Sequence, residues 1–359
     1  MIFIKNIIFY LIGLIPTSLL KKNIDFSERV LFVHLSHPLG DFISRINFLR
    51  SVDNENSPKN CFLIIDEKYK KIAHLIESKF ELLFVKRIKY KLNPFYRFKI
   101  LKYLTSLKFK LAFNISVDRG MMSDEITINS RANRKITLQK ENHFLSSLFE
   151  NINDKKYSDI LSFNSFNEYE RMEELKYILR EKFGFDIKES IIPQKTQTGE
   201  KYIVIAPFSS KKNKSWPFES YLQLIQKLTI RARIFVIGET KNISHMRILK
   251  NIPGGVTNLV CKTKIEDVTE VIRGSSLFIG NDSGLTHLAY FFRIPLIGII
   301  GGGSYGFFFP NSNHETNLFF YNPLDCFNCN WRCKYSEPYC LTKVTVDSVY
   351  NSALKLLDI

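Results

Sequence analysis

The stretch Phe278-Ile-Gly-Asn-Asp-Ser-Gly-Leu-Thr-His-Leu-Ala289 decides which fold this chain can adopt. Its apolar beginning predicts a buried strand that ends at Gly280, and a small polar turn then leads into a helix that we expect to begin at Thr286. Units in which a strand passes through a turn into a helix are the components of parallel sheets. The stretch therefore predicts an α/β fold with its binding loops at the carboxyl ends of parallel strands.

Strands and helices alternate in both halves of the chain. One set runs from the apolar segment at Arg29 to that at Leu111, and another runs from Lys201 to the apolar segment at Ile294. A length of 359 residues exceeds what a single hydrophobic core usually holds. We therefore predict two Rossmann-like domains, each a doubly wound parallel sheet, that face a cleft in which ligands bind.

We place the domain boundaries where the composition changes. Residues 1–27 form a mostly apolar N-terminal segment, residues 28–190 the first domain and residues 191–359 the second. The second domain is predicted to end in a helix over Val344–Leu357. The polar stretch Ile187–Gly199 is predicted to be the linker between the domains.

The N-terminal segment indicates contact with a membrane. Residues 2–20 are mostly apolar, but the run free of polar residues and proline covers only residues 7–15. That is short for a span of about 20 residues. We predict a helix that lies in or against the bilayer, with Lys21, Lys22 and Arg29 facing the headgroups, and a signal anchor is the alternative.

The net charge of +16 requires a partner of opposite sign, which is nucleic acid, anionic lipid or a phosphorylated small molecule. From Lys86 to Lys110 there are nine Lys or Arg residues, several aromatic residues and no acidic residue. This mixture suits an anionic bilayer surface or a phosphorylated glycolipid acceptor. The alternative is a solvated basic face with aromatic rings packed beneath it. We expect the protein to be cytoplasmic and peripheral on the cytoplasmic face of the inner membrane.

The cysteines cluster near the C-terminus. Four of the six lie within fifteen positions, and nothing earlier in the chain resembles a disulfide framework, which indicates a reducing compartment. Four thiols close together could hold a structural Zn²⁺, and free thiols or a local disulfide are the alternatives. The clustered residues are Cys326, Cys329, Cys333 and Cys340.

The turn after Gly280 has the chemistry of an anion site. The N–H groups of Ser283, Gly284 and Leu285 would point outward from the start of a helix and favour a phosphate. His287 lies one turn further along, within reach of the same anion. The alternative is an ordinary helix cap made by Asp282 or Ser283.

A second candidate anion site follows the apolar run that begins at Lys201. In the loop Pro207–Pro217, the hydroxyls of Ser209 and Ser210 can bind phosphate oxygens, and Lys214 can neutralise a leaving diphosphate. By itself such a basic loop is usually only solvated. No Asp-x-Asp pair for Mg²⁺ is apparent, so we expect positive side chains and amides to stabilise the diphosphate, with no metal or other cofactor required.

Three segments of the chain, in the same order, resemble glycosyltransferase family 9, the ADP-heptose:lipopolysaccharide heptosyltransferases. They are similar to the family's opening strand with its Gly-Asp turn, its phosphate loop and its donor-binding signature, and the similarity covers roughly Arg29 to Leu357. The segments are Val30-Leu-Phe-Val-His-Leu35 with Leu39-Gly40-Asp41, Ser209-Ser210 with Lys214-Ser-Trp-Pro217, and Asn281–His287 with Pro295 and the Gly301 turn.

The resemblance implies a GT-B architecture and an inverting, metal-independent transfer of heptose from ADP-heptose to a lipopolysaccharide core or related glycolipid. It implies that Asp41 is the general base for the acceptor hydroxyl, whereas a turn aspartate that caps the next helix is the alternative. The residues implied to bind the donor are Ser209, Ser210 and Lys214 at the phosphates, Asp282, Ser283, Gly284 and His287 at the diphosphate and sugar, and Glu239 at the ribose.

The sequence departs from the family pattern in two places, which bears on the identity of the substrate. Ile46-Asn47 stands where the family often has a proline, and serines stand in the phosphate loop where threonines are common. A transferase of the same fold that uses another nucleotide-sugar for surface polysaccharide is therefore an alternative.

Two further alternatives belong to other functional classes. A zinc-cluster nucleic-acid-binding protein would explain the charge and the cysteines, but no recognition helix or RNA-binding signature is present, so we expect no nucleic-acid partner. A non-catalytic sugar-binding relative is the other. The presence of Asp41, Lys214 and His287 together favours an active enzyme.

Overall fold

The computed structural model describes residues 2–12, 29–52, 61–77, 79–117, 119–139, 147–189, 201–252, 254–311 and 315–358. The chain divides into two compact units. The first comprises Met1–Asn164 and Met172–Ser190, and the second comprises Ser165–Arg171 and Ile191–Ile359. Ser165–Arg171 lies inside our predicted first domain but packs with the second unit.

The first unit is built on a six-stranded parallel sheet in the order β3-β2-β1-β4-β5-β6. The chain moves outward from β1 to β3 and then returns to the other side of β1 to form β4, so the strand order reverses between β1 and β4. The strands are β1 (Val30–His34), β2 (Cys61–Asp66), β3 (Glu81–Val85), β4 (Leu111–Asn114), β5 (Arg134–Leu138) and β6 (Asp159–Leu161).

Helices connect these strands, as the alternating pattern predicted. A 3-10 helix, Glu67–Ile76, follows β2. The α-helices are α1 (Ile2–Ile12), α2 (Leu39–Val52), α3 (Arg87–Leu92), α4 (Pro94–Leu107), α5 (Met121–Asn129), α6 (Ser147–Asp154) and α7 (Glu168–Phe183), of which α7 begins in the second unit.

The second unit repeats the plan, with a six-stranded parallel sheet in the order β12-β11-β10-β7-β8-β9. Here the strand order reverses between β7 and β10. The strands are β7 (Tyr202–Ala206), β8 (Arg233–Val236), β9 (Val256–Asn258), β10 (Leu277–Asn281), β11 (Leu296–Ile299) and β12 (Asn317–Phe320). The predicted α/β fold with two doubly wound parallel sheets is thus confirmed.

The helices of the second unit pack their apolar sides on this sheet. The C-terminal helix packs against α8 and buries Val349, Ala353 and Leu357, close to the predicted Val344–Leu357. Short 3-10 turns occupy Lys212–Lys214 and Gly302–Ser304. The α-helices are α8 (Phe218–Leu228), α9 (Ile243–Lys250), α10 (Ile265–Arg273), α11 (Gly284–Phe291), α12 (Tyr339–Thr342) and α13 (Val346–Leu357).

Helix α11 begins at Gly284, two residues before the predicted Thr286. Ser283 is extended, with φ −150° and ψ 166°, so the helical conformation starts at the glycine that follows it. The small polar turn is therefore shorter than the sequence suggested.

Two predicted segments fall partly outside the described residues. Of the N-terminal segment 1–27, only residues 2–12 are described, and most of the predicted linker, residues 190–199, is not. Within the described ranges, no helix combines the length and the hydropathy that a transmembrane span requires.

A buried polar network fixes the carboxyl end of β4 in the first unit. Asp124 is fully buried, and its Oδ1 accepts hydrogen bonds from Arg119 Nε at 2.8 Å, Tyr157 Oη at 2.8 Å and Asn114 Nδ2 at 3.1 Å. Its Oδ2 accepts a fourth, from Asn153 Nδ2 at 2.8 Å. Burial raises the pKa of the Tyr157 hydroxyl, which therefore remains a donor. One carboxylate thus joins β4, α5 and α6.

We predict that Asp124→Asn lowers the free energy of unfolding of the first unit by about 3–5 kcal/mol, because it removes the carboxylate from a buried ion pair. Asp159→Asn is the matched control, since Asp159 pairs with Arg134 at the surface at 2.9 Å, and it should cost at most about 1 kcal/mol. Urea unfolding followed by far-ultraviolet circular dichroism measures both changes. Equal losses in the two variants would contradict the assignment.

Candidate functional site

The predicted donor-binding residues all follow the carboxyl ends of three neighbouring strands in the second unit. Strands β10 and β7 are paired in register, with Gly280 opposite Ala206, so their loops leave the sheet side by side. This is the point where the strand order reverses, which is where doubly wound sheets bind ligands. Asp282, Ser283, Gly284 and His287 follow β10, Ser209, Ser210 and Lys214 follow β7, and Glu239 follows β8.

Asn281, the last residue of β10, joins the two main loops. Its side chain is fully buried, its Oδ1 accepts a hydrogen bond from Trp216 N at 2.8 Å, and its Nδ2 donates to Pro207 O at 2.9 Å. Pro207 and Trp216 stand near the two ends of the loop that carries the predicted phosphate-binding residues. The amide of Asn281 therefore holds that loop against the end of β10.

Lys214 reaches the start of the turn after β10. Its Nζ lies 3.4 Å from Asp282 Oδ2, and both side chains are largely buried. The same ammonium lies 4.4 Å from the centre of the Trp331 ring. Asn213 Nδ2 donates to Trp331 O at 2.7 Å. A carboxylate and an indole therefore fix the position of this positive charge.

The start of α11 presents N–H groups that the N-cap side chain does not bind. Ser283 makes no side-chain capping bond, and its Oγ lies 3.4 Å from Thr286 Oγ1 instead. Thr286 Oγ1 in turn donates to Asn281 O. The alternative in which the Ser283 side chain caps the helix is therefore wrong. Asp282, which pairs with Lys214, directly precedes Ser283, so this ion pair lies at the N-terminus of α11.

His287 is buried among aromatic rings and is neutral. Burial lowers its pKa to about 4, while the charge of Asp282 raises the pKa and the charge of Lys214 lowers it, both by smaller amounts. Its Nδ1 is hydrogen bonded to Tyr169 Oη at 2.7 Å, and the Phe308 ring stands perpendicular to it at 4.7 Å. His287 therefore offers a hydrogen bond and no charge at neutral pH.

The remaining donor candidates lie nearer the solvent. Ser209 Oγ is bonded inside its own loop, to Ser215 Oγ and to Lys211 O, both at 2.9 Å, so its hydroxyl shapes the loop. Ser210 and Glu239 are exposed at the ends of their strands. Lys214 and Asp282 are thus in contact at the start of α11, whereas Ser209 is bonded within its own loop and Ser210 and Glu239 are exposed.

The glycine turn after β11 has a packing role. A Cβ at Gly302 would lie 2.4 Å from the Phe327 ring, and one at Gly303 would lie 2.3 Å from the Trp331 ring. Asn328 N donates to Gly302 O at 2.6 Å. The glycines thus allow the cysteine-rich segment to approach the backbone of the turn that the resemblance places after the donor-binding signature.

The cysteine-rich segment carries free thiols. None of the four clustered cysteines forms a disulfide bond, and burial raises the pKa of the Cys340 thiol. The local disulfide is therefore wrong. Across the described ranges, no group of three or more His, Cys, Asp or Glu side chains is arranged to hold a metal ion, so the zinc alternative has no ligand set there.

Asp41 lies at the corresponding point of the first unit, where the strand order reverses between β1 and β4. It stands in the first turn of α2 and is buried. Arg45, one turn further along α2, donates from Nε to Ile115 O at 3.0 Å, just past the end of β4. Leu35 N donates to Ser116 Oγ at 3.0 Å. These bonds tie the loop that carries Asp41 to the end of the neighbouring strand.

Three polar side chains hold the loop between β1 and Asp41 by hydrogen bonds to its backbone carbonyl groups. Arg87 Nη1 donates to Leu35 O at 2.6 Å, Tyr69 Oη donates to His37 O at 2.6 Å, and Lys68 Nζ also donates to His37 O. Burial lowers the pKa of Lys68, while the nearby charges of Asp66 and Asp41 act in the opposite direction. The charge of Asp41 thus acts on the Lys68 ammonium group.

Sequence reasoning assigned no role to three residues of these sites. Asn281 was visible as a polar residue at the end of an apolar strand, a position that often carries function. Tyr169 and Trp331 are distant in sequence from His287 and Lys214, and no local pattern marks them.

Comparison with protein-family models matches residues 112–335 to glycosyltransferase family 9 (heptosyltransferase). Autotransporter heptosyltransferase TibC of Escherichia coli O78:H11 is 29% identical over 132 residues, which are 36% of this chain and 31% of that protein. The similarity thus spans about a third of the length of this curated relative.

Solved structures show the same fold. E. coli heptosyltransferase WaaC with ADP-2-deoxy-2-fluoro heptose gives a TM-score of 0.64 at 16% identity, covering 91% of this chain and 99% of that one. The family 9 glycosyltransferase from Veillonella parvula gives 0.72 at 14% identity, covering 94% and 99%. The iron-containing dodecameric glycosyltransferase TibC from enterotoxigenic E. coli gives 0.54 at 16% identity, covering 93% and 78%.

These structural matches confirm the GT-B fold class, and at such identities they show the fold alone. The family model carries the assignment, because it matches more than half of the sequence. The chain belongs to glycosyltransferase family 9, the heptosyltransferase family.

Proposed function

We propose that the protein transfers heptose from ADP-heptose, with inversion, to a lipopolysaccharide core or a related lipid-linked saccharide. The observation that carries this proposal is the 3.4 Å approach of Lys214 to Asp282 at the start of α11. It puts a fixed positive charge and a helix N-terminus at one point in the second unit. That combination suits the diphosphate of a nucleotide-sugar.

The donor half of the reaction is the departure of ADP. As the bond between the anomeric carbon and the diphosphate breaks, negative charge grows on the leaving oxygen. Lys214 and the first N–H groups of α11 stabilise that charge, and Ser210 and Glu239 bind the exposed parts of the donor. The hydrogen bond between Tyr169 Oη and His287 Nδ1 holds the ring in place. We infer that the hydroxyl is the donor, so that the neutral ring carries its proton on Nε2 and donates it to the diphosphate or the sugar.

The acceptor half is the attack of a hydroxyl on the anomeric carbon. Asp41 accepts the hydroxyl proton as the new carbon–oxygen bond forms on the face opposite the leaving diphosphate, which inverts the configuration. The buried position of Asp41 at the start of α2, with Lys68 nearby, supports this role. Protons and charge balance, since the products are the glycoside, ADP and the protonated carboxyl group.

The choice of donor rests on relatives. WaaC has been solved with ADP and with an ADP-heptose analogue, and TibC with ADP-D-β-D-heptose. The near alternative remains another nucleotide-sugar used for surface polysaccharide. The zinc-cluster nucleic-acid alternative lacks a metal ligand set among the described residues.

The TibC structure is described as iron-containing, which raises the question of whether residues of this chain form an iron site. Over the ranges that the structure describes, no three His, Cys, Asp or Glu side chains are placed to hold a metal ion. Cys326, Cys329 and Cys333 lie close enough to Cys340 for their charges to raise its pKa, but the four thiols do not form such a ligand set.

The location that we propose is the cytoplasm, with the protein peripheral on the inner membrane. Six free cysteines support a reducing compartment. A nucleotide-sugar donor and a lipid-linked acceptor meet at the cytoplasmic face of that membrane.

We predict that ADP raises the melting temperature more than UDP or GDP does. Lys214→Ala should weaken ADP binding about 10- to 100-fold, since it removes a charge-assisted contact to phosphate. Lys212→Ala is the matched control, because Lys212 is exposed in the same loop, and it should change the affinity less than about threefold. Calorimetric titration provides the affinities. Absence of any response to the three nucleotides would refute donor binding.

We predict that Asp41→Asn lowers kcat about 10²- to 10⁴-fold and leaves ADP affinity unchanged, because it removes only the proton acceptor. Asp66→Asn is the control, since Asp66 is a buried carboxylate close to the same Lys68 and its amide can still cap the 3-10 helix. That variant should keep most of the turnover. Full turnover by Asp41→Asn would remove the residue from its role.

We predict that Tyr169→Phe raises the KM for the donor about 2- to 12-fold and leaves kcat nearly unchanged, because it deletes one hydrogen bond and keeps the ring. Tyr177→Phe, an exposed tyrosine on the same helix, is the control. Nitrogen NMR of His287 reports the tautomer independently of catalysis. A single Nε2–H tautomer retained in Tyr169→Phe, with an unaltered KM, would contradict the assignment.

A further inference from the structure

Exposed apolar side chains gather on three helices of the first unit that contact one another, α1, α3 and α4. Ile4 and Ile8 on α1 are 60% and 51% exposed, and Ile88 and Leu92 on α3 are 76% and 67% exposed. Phe95, in the first turn of α4, is 87% exposed. Residues four apart lie on the same side of a helix, so each pair forms a short apolar stripe. Isolated exposed apolar residues are ordinary, but a group on touching helices is not.

Helix α1 is attached by its opposite side. Phe9 is buried, its ring lies 4.0 Å from the guanidinium of Arg97, and Arg97 Nη1 donates to Phe9 O at 2.8 Å. Arg97 is itself buried and paired with Glu125. These contacts fix which side of α1 faces the unit, and Ile4 and Ile8 lie on a side that is exposed in the part of the chain that the structure describes.

Cations surround the apolar group. Lys5 on α1 and Lys89, Lys91 and Lys99 on α3 and α4 are exposed, and no acidic residue occurs from position 86 to 110. Partial burial of the Lys91 ammonium lowers its pKa, although much of the side chain is exposed, and the charges of Arg87 and Lys5 lower it further. Cations of α1 and α3 therefore lie close enough to repel one another. Such a surface is more stable beside fixed negative charges.

We propose that α1, α3 and the first turn of α4 form a membrane-binding face that docks on an anionic lipid bilayer. Ile4, Ile8, Ile88, Leu92 and Phe95 enter the headgroup layer, and the surrounding lysines contact lipid phosphates. A bilayer satisfies both parts of the surface, because its interface accepts apolar side chains and carries negative charge. A nucleic acid offers no apolar partner for the isoleucines, and a second copy of the chain would bring like charges together.

The test uses the full chain and vesicles of phosphatidylcholine with and without phosphatidylglycerol, in a sedimentation assay that needs no sugar donor. The wild-type chain should partition onto the anionic vesicles and be released by salt. The double variant Leu92→Ser, Phe95→Ser should lower the partition coefficient at least about tenfold, since it removes two large apolar groups from the interface. Both side chains are exposed, and an unchanged melting temperature confirms that the variant folds.

The matched control is Ile230→Ser, because Ile230 is 82% exposed but belongs to the second unit, and it should leave partitioning unaltered. Lys89→Gln with Lys91→Gln should weaken binding to anionic vesicles and not to neutral ones. Three outcomes would overturn the proposal. They are equal partitioning of wild type and Leu92→Ser, Phe95→Ser, self-association that this variant abolishes without vesicle binding, and RNA binding in place of vesicle binding.

Discussion

The buried amide of Asn281 is the interaction on which the candidate donor site depends. Its two hydrogen bonds, to Trp216 N and Pro207 O, hold the loop after β7 against the end of β10. Lys214 projects from that loop, and α11 starts three residues after Asn281, so this one side chain sets the separation between the charge and the helix N-terminus. A buried amide that satisfies a backbone donor and a backbone acceptor is costly to replace, because each partner would be left without a hydrogen bond.

The two units use the same physical device for different chemistry. In each, the strand order of a parallel sheet reverses beside its first strand, which is the position where doubly wound sheets bind ligands. In the second unit this position carries a lysine, helix amides and a neutral histidine, a set suited to a diphosphate. In the first unit it carries Asp41 at the start of α2, after a loop that Arg87, Tyr69 and Lys68 support. The exposed apolar and basic face on α1, α3 and α4 is a third surface, and we propose that it binds the membrane.

Much of the fold was predictable from sequence, because buried parallel strands are continuous apolar runs and the polar turns after them are short. The same pattern located Asp282, Ser283 and Lys214 at strand ends, where the structure brings them together. Tyr169 and Trp331 were not predictable, since their partners His287 and Lys214 lie 118 and 117 positions away in the chain and only the fold unites them. The packing of Phe327 and Trp331 against the glycine turn at Gly301–Gly303 was not predictable for the same reason, because these rings lie more than twenty positions further along the chain.

The donor site described above requires that Lys214 and the first turn of α11 bind a single diphosphate. A crystal structure of the protein with ADP bound would show this contact. We expect phosphate oxygens within hydrogen-bonding distance of both Lys214 Nζ and the N–H groups that begin α11, with the nucleoside extending toward the end of β8. A diphosphate bound elsewhere, or in contact with only one of these two groups, would contradict this expectation.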